Sequence, residues 1–330
     1  MKFRKTITLT ICASLCGILL TACGSSETQT FAWPLGTASP DDTVTQIFAE
    51  KFAEETDRLS NGTMKIEVYP NSTLGGDRDL LESCKDGDIP FVVQNTAPQV
   101  TFMKDLAIFD LPAVFDSLEQ VREKVDDPVF SSLIQDVYLD AGYRLLGTAD
   151  QGFRVMSTNR KVTSLADFQS QKIRTMENPY HLAFWKELSA SPTPMSFAEV
   201  YIGLQQHTID AQENPYEVIV SNRLYEQQKY VVETNHLPHL ITLIVSEDFY
   251  QELTPEQQQI LSKAAATASE YAREQSDKRI SEKMQVIEDS GSEIITLDEE
   301  TRSAFREASE PVYEMIEDAV SPEIYQAYTS

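Results

Sequence analysis

Residues 254–291 read TPEQQQILSKAAATASEYAREQSDKRISEKMQVIEDSG, and this stretch decides the architecture. Thr254 is placed as an N-cap, Pro255 suits the first helical position, and Gln257 completes a capping box three residues after the cap. No Gly or Pro follows until Gly291. A helix over the whole run has about 36 residues and a length of about 54 Å at 1.5 Å per residue. That exceeds the diameter of a small domain. A coiled coil would need sustained heptads, which the stretch Ala264-Ala265-Ala266-Thr267-Ala268 lacks. A spine helix packed across two lobes fits better.

Upstream of the spine, short apolar strands alternate with helical stretches. Phe31-Ala32-Trp33 reads as a first strand. Asp41 to Leu59 reads as a helix, with Val44, Ile47, Phe48 and Phe52 on one face and Asp41 or Asp42 as its cap. KIEVY (Lys65 to Tyr69) alternates as a strand does, and Pro70 ends it. Asp77 to Lys85 is a short helix, and PFVVQ (Pro90 to Gln94) a buried strand. Leu145 to Thr148, Arg154 to Ser157 and Leu240 to Val245 read as further strands. This alternation predicts an α/β architecture with largely parallel sheets. A composition shift at Thr148 to Gln151 marks a first crossing between lobes, and Thr234 to Pro238 a second.

The chain opens with MKFRKTITLTICASLCGILLTACGSS. Lys2, Arg4 and Lys5 form a basic region and Ile7 to Leu20 an uncharged apolar one, the layout of a secretory signal peptide. The apolar part is too short to read as a confident membrane span. Leu20-Thr21-Ala22-Cys23 resembles a bacterial lipobox, which implies cleavage before Cys23 and lipidation of its thiol. The alternative is a plain signal peptide with a chance cysteine; the order of basic, apolar and lipobox parts favours the lipoprotein. Gly24, Ser25 and Ser26 then form a flexible tether. Cys12 and Cys16 fall in the leader, so Cys84 is the one thiol left, and no internal disulfide is expected. Its place on an apolar helical face makes it a core residue.

The chain carries 27 basic and 52 acidic residues, a net charge of −25. Losing Lys2, Arg4 and Lys5 makes the balance three charges more negative. Such a field repels nucleic acid and anionic lipid heads. It leaves an anionic ligand possible, because a buried pocket answers to its nearest charges. No catalytic set emerges. There is no Gly-x-Ser-x-Gly and no phosphate loop. His236 and His239 are three apart, but Pro238 lies between them and no further ligand joins at metal-site spacing. They read as structural or surface histidines, and pairs such as Glu299-Glu300 as solvated surface. No metal and no cofactor are expected.

The informative region runs from Gly152 to Pro215. Arg154 follows Gly152-Phe153 just inside a strand, and Lys172-Ile173-Arg174-Thr175-Met176 repeats the pattern, with Lys172 and Arg174 on the face opposite Ile173. An inward arginine is costly unless an anion pairs with it. Its planar fork suits a carboxylate. That carboxylate is either an internal Asp or Glu or a bound ligand, and composition alone leaves both open.

Several segments together carry a resemblance to the extracytoplasmic solute receptors of TRAP transporters, the DctP type. They are Gly152-Phe153-Arg154, Lys172-Ile173-Arg174, Ser191-Pro192-Thr193-Pro194-Met195, Phe197-Ala198-Glu199-Val200-Tyr201, Asp210-Ala211-Gln212-Glu213-Asn214-Pro215, Tyr225 to Tyr230 and Thr234-Asn235-His236. Leu74-Gly75-Gly76-Asp77-Arg78 and Leu111-Pro112 add to it in the first half. The resemblance implies a two-lobed, periplasmic-binding-protein-like α/β fold with hinge strands and the long helix bracing both lobes. After a leader (1–22) and tether (23–30), residues 31–150 with about 240–275 would form lobe I. Residues 151–239 with about 276–330 would form lobe II.

The resemblance also implies function: no enzymatic activity, but capture of a small organic acid, closure around it and delivery to TRAP membrane subunits. By position, Arg174 looks like the main carboxylate-binding residue, Arg154 the second cationic contact and Asn214 an amide reaching the same carboxylate. Phe197 looks like a pocket wall and Asn95 a polar group from the other lobe. Neutral groups near Gln94, Asn95, Asn178, Tyr180 and His181 favour a sugar acid such as a uronate. A C4-dicarboxylate receptor is the alternative if Arg154 supplies a second cationic site. A sensor or another importer's module is a further alternative; a secreted hydrolase would need a nucleophile and base that are not seen. Ser170, His207 and Ala211 stand where the family usually has glycine, which predicts local differences in backbone.

Overall fold

The computed structural model describes residues 30–330; the leader and Cys23 lie outside them. The first pass of the chain builds β1 (Phe31–Gly36), α1 (Val44–Leu59), β2 (Met64–Tyr69), α2 (Asp77–Lys85), β3 (Phe91–Asn95), α3 (Leu118–Val125), α4 (Pro128–Asp140) and the long β4 (Tyr143–Phe153). The second builds β5 (Val155–Thr158), β6 (Lys172–Thr175), α5 (Pro179–Glu187), β7 (Ser191–Pro194), α6 (Val200–Gln205), β8 (Ala211–Asn214), α7 (Tyr216–Ser221) and β9 (Tyr230–Glu233). The chain then returns through β10 (Pro238–Ser246), α8 (Glu247–Glu252), α9 (Pro255–Asp289), β11 (Glu293–Thr296), α10 (Glu299–Ala308), α11 (Glu310–Ala319) and α12 (Pro322–Thr329).

Two sheets result, one per lobe. Lobe I has the order β2-β1-β3-β10-β4 and lobe II the order β11-β9-β5-β8-β6-β7. Both are mixed, where the sequence predicted largely parallel sheets. β1 runs parallel to β2 and β3, but β10 runs antiparallel to β3 and β4. In lobe II, β5 is antiparallel to β8 and β9. The cause is the lobe exchange: β4 leaves lobe I and β10 re-enters it, so the two run in opposite senses. The chain passes between the two sheets at Arg154 and at Thr234–Leu237. The Arg154 backbone N–H donates to the Leu237 carbonyl at 2.8 Å and ties the crossings together.

The spine forms as α9, 35 residues from Pro255 to Asp289. Its capping box is present: Gln257 N–H donates to Thr254 Oγ1 at 3.3 Å and Thr254 N–H to Gln257 Oε1 at 2.9 Å. Leu261, Ala264, Ala265, Ala268 and Ala272 join the lobe I core with Phe48 and Phe52. Further along, Ile280, Met284 and Ile287 pack with Val155 and Val231 in lobe II. The alanine face lets the spine lie close to β4. A Cβ on Gly147 would come within 2.4 Å of Ser269 Oγ.

Three local expectations are corrected. Thr43, not Asp41 or Asp42, caps α1, accepting from Gln46 N–H. Asp42 instead turns to the spine, where Lys283 Nζ lies 2.6 Å from its carboxylate and Arg279 bonds it as well. The C-terminal segment serves both lobes: Phe305 of α10 packs on Phe168 and Phe184, whereas Tyr328 of α12 stacks among Phe109, Phe115 and Phe130. Ser170 and His207 keep the left-handed backbone, at φ 59° and 57°, despite lacking glycine's freedom. Ala211 sits in ordinary strand. Cys84 is buried in the core, and burial pushes its thiol up to about 12.

Candidate functional site

Arg174 sits in β6, paired with Thr193 of β7 and Gln212 of β8, so the sheet holds its Cα rigidly at the cleft. Its side chain is only 2% exposed. Lys172, expected on the same face, is exposed at the strand's start. Nε and Nη2 of Arg174 donate to the Met195 carbonyl at 2.9 and 2.6 Å. Nη1 is buried with no partner. Burial pushes the guanidinium's pKa down to about 10, with the nearby cation Arg154 adding to the effect and Glu213 and Asp77 opposing it. The group remains cationic at neutral pH. The Phe197 ring lies 5.8 Å from Arg174 Cζ and shields one face of the fork.

A small cavity opens between the lobes at this point. Asp77 and Asn95 line it from lobe I, Arg174, Met176, Phe197, Asn214 and Val218 from lobe II, and His239 from the start of β10. A second hollow shares Asp77, Arg174, Met176 and Phe197 and continues past Gly76 and Ser196.

Arg154 is placed differently from its expected role. It does not line the cavity but stands behind it, 1% exposed. Its Nη2 donates to Glu213 Oε1 at 2.8 Å, to the Glu213 carbonyl at 2.6 Å and to Asn214 Oδ1 at 3.2 Å, and its Nε bonds the second Glu213 oxygen. The anion that Arg154 needs is therefore internal. Burial alone would raise the Glu213 carboxyl, but Arg154 and His236, whose Nε2 lies 3.0 Å from Oε2, hold it well below the usual range. The two arginines thus differ: Glu213 answers Arg154, and among the described residues no carboxylate bonds Arg174.

Asn214 and Asn95 reach the cavity with much of their hydrogen bonding engaged. Asn214 Oδ1 accepts from Arg154, which orients the amide, and Nδ2 donates to Gln212 Oε1 at 2.6 Å, leaving one N–H. Asn95 Nδ2 donates to the Leu240 carbonyl at 2.8 Å while Oδ1 accepts from Ala97 N–H at 2.9 Å, which fixes the end of β3. Three groups escaped the sequence reading. Asp77 stood in a quoted motif but was read only as a helix start. His239 was weighed only as a metal ligand. Glu213 also stood in a quoted motif, with no role given to it. Burial pushes the Asp77 carboxyl up to about 6, with Arg174 pulling the other way.

Among the described residues, no group of His, Cys, Asp and Glu could hold a metal ion, and no helix is long and apolar enough to cross a membrane. The site offers a caged cation, oriented amides and an aromatic wall. It has the parts for gripping an anion.

Comparison with known proteins places the chain in a family. The family model for bacterial extracellular solute-binding proteins, family 7 (DctP), matches residues 35–319. Solute-binding protein RD1_1052 of Roseobacter denitrificans is 31% identical over 282 residues, 84% of this chain and 85% of its own. Its crystal structure, with bound L-galactonate, superposes with a TM-score of 0.83 over 91% of this chain and 97% of that one, at 30% identity. The ectoine/5-hydroxyectoine-binding periplasmic protein of Ruegeria pomeroyi is 29% identical over 93% of this chain and 91% of its own. The sugar acid binding protein of Advenella mimigardefordensis, in complex with galactonate, gives a TM-score of 0.88 at 26% identity, covering 92% and 98% of the two chains. The chain therefore belongs to the DctP-type extracellular solute-binding proteins, the receptors of TRAP transporters, which bind small acids and are not enzymes.

Proposed function

We propose that this receptor captures a sugar acid, a polyhydroxylated monocarboxylate such as a uronate or aldonate, and hands it to TRAP membrane subunits after lobe closure. The observation that carries the reading is Arg174: a buried cation at the cavity wall whose Nη1 has no partner. A carboxylate there takes Nη1 and accepts the spare Asn214 N–H, which answers both groups at once. Arg154 acts behind Asn214, fixing its amide, and does not touch the ligand. That placement speaks against a C4-dicarboxylate, because the second free cation such a ligand needs is bonded to Glu213. Asp77 in the wall speaks the same way, since a second carboxylate would meet a like charge while a hydroxyl would find an acceptor. Two solved relatives hold galactonate.

The test is a thermal-shift screen of aldonates, uronates and C4-dicarboxylates, followed by calorimetry on wild type and Arg174→Ala. A sugar acid should raise the melting temperature most, and Arg174→Ala should weaken it at least 100-fold, which is about 3 kcal/mol. Preference for a dicarboxylate, or unchanged affinity in Arg174→Ala, overturns the reading. Lipidation at Cys23, outside the described residues, is the proposed tether. Cys23→Ala should release the protein from the membrane fraction, and retention there would refute the anchor.

A further inference from the structure

His239 opens β10 where the chain re-enters lobe I, and its ring is 5% exposed at the cavity wall. Its Nδ1 lies 2.5 Å from Arg154 Nη1. A guanidinium carries donors only and does not lose its proton in proteins. Nδ1 must therefore accept, and in a neutral ring the proton then resides on Nε2. The two nitrogens occupy different edges of the imidazole. With Nδ1 turned back onto Arg154, the N–H edge is turned away from it. Among the described residues, the ring's one hydrogen bond is the contact of Nδ1 with Arg154.

The surroundings keep the ring neutral. A second proton would have to sit on Nδ1, facing the cation of Arg154. Glu213, the carboxylate that would compensate, is already bonded to Arg154 and to His236. Asp77 faces the same cavity and His181 lies beyond. Burial, with Arg154 second, holds His239 well below the ordinary histidine range.

We propose that His239 is a specificity-determining residue: Arg154 locks it as the Nε2–H tautomer, and that N–H donates to a hydroxyl of the bound acid. The inference rests on the cavity being the sugar-acid site and deepens that reading. It gives Arg154 a positioning role through His239 as well as through Asn214. It also sets a chemical class. The ligand must present an oxygen acceptor to His239, so a hydroxyl is matched, whereas an ammonium at that position would meet donor against donor and be rejected.

Two experiments test it. In ligand-free protein with ¹⁵N-labelled histidine, the His239 resonances should report a protonated Nε2 and a bare Nδ1 from about pH 5.5 to 8. An Nδ1–H tautomer or a charged ring in that range overturns the proposal. The second uses D-galactonate and its singly deoxygenated analogues as calorimetric probes against wild type, His239→Gln and His239→Leu, with thermal melts checking folding. His239→Gln keeps a donor and should stay within about threefold of wild type. His239→Leu should lose about 10- to 100-fold for galactonate but little for one deoxy analogue, the one lacking the hydroxyl read by Nε2. Equal losses for galactonate and every deoxy analogue, or no loss at all, overturn the role of His239 while leaving the sugar-acid reading intact. If neither galactonate nor any other hydroxylated acid binds wild type, both fall.

Discussion

Glu217 Oε2 accepts the backbone N–H of Val44 at 2.8 Å, although 173 residues separate them. Val44 opens α1 in lobe I, where free N–H groups carry partial positive charge. Glu217 belongs to α7 in lobe II, and its other oxygen bonds Arg279 of the spine. Arg279 in turn holds Asp42 next to Val44. Two lobes and the spine thus meet around one carboxylate, on the flank of the cleft. Glu217→Gln should weaken this clasp and favour opening. Ligand dissociation is expected to quicken about 5- to 20-fold by stopped flow. An unchanged dissociation rate would show that the clasp does not contribute to closure.

The buried Arg154–Glu213 pair predicts strong, non-additive effects on stability. Arg154→Ala leaves the Glu213 carboxylate buried with only His236, so unfolding by urea should show a loss of about 3–5 kcal/mol. Replacing both together, Arg154→Met with Glu213→Leu, should recover much of that loss, since neither charge remains to be desolvated. Simple addition of the two single losses would mean that the residues act independently.

Asp77 predicts a pH dependence. Its folded pKa, raised to about 6, exceeds the ordinary carboxylate value of 3.8. The folded state therefore holds the proton more tightly than the unfolded chain. Stability from this group falls as pH rises between those two values and is flat above them. Asp77→Asn should remove that component, of the order of 1–2 kcal/mol once solvent at the cleft mouth is allowed for. Melting curves of both proteins between pH 4 and 7.5 would reveal it, and parallel profiles would contradict it. The same variant should narrow the preference for sugar acids over dicarboxylates.

His207 holds a left-handed backbone at the end of α6 with φ 57°. Glycine there removes the Cβ conflict, a gain of about 1–2 kcal/mol, but enlarges the unfolded ensemble at about 0.5–1 kcal/mol. His207→Gly should therefore be stabilising by roughly 0.5–1 kcal/mol in denaturant titrations. A destabilised variant would mean that the imidazole makes a contribution of its own.

Much of the fold was legible because its signals are local. The run without Gly or Pro after Pro255 set the spine, period-2 apolar patterns set the strands, and Asp77–Lys85 was located to the residue. Strand direction was not legible. It depends on β10 returning between β3 and β4, where Ile241 pairs with the sequence-distant Asn95. The cap of α1 was missed for a related reason: Asp42 is drawn off by Arg279 and Lys283, which lie more than 200 residues away.

By itself the sequence determined the two-lobed α/β plan, the family and the presence of two inward arginines. The plan and the arginines follow from periodicity and capping chemistry, which operate over a few residues, and the family from the resemblance of several segments taken together. Tertiary structure alone decided which arginine is free. Arg154 and Arg174 read alike in sequence, and only the packing of β8 against β5 brings Glu213 onto Arg154 and leaves Arg174 Nη1 unmatched among the described residues. A buried cation's role is set by which anion reaches it first, and that is a distance in space with no counterpart in sequence spacing.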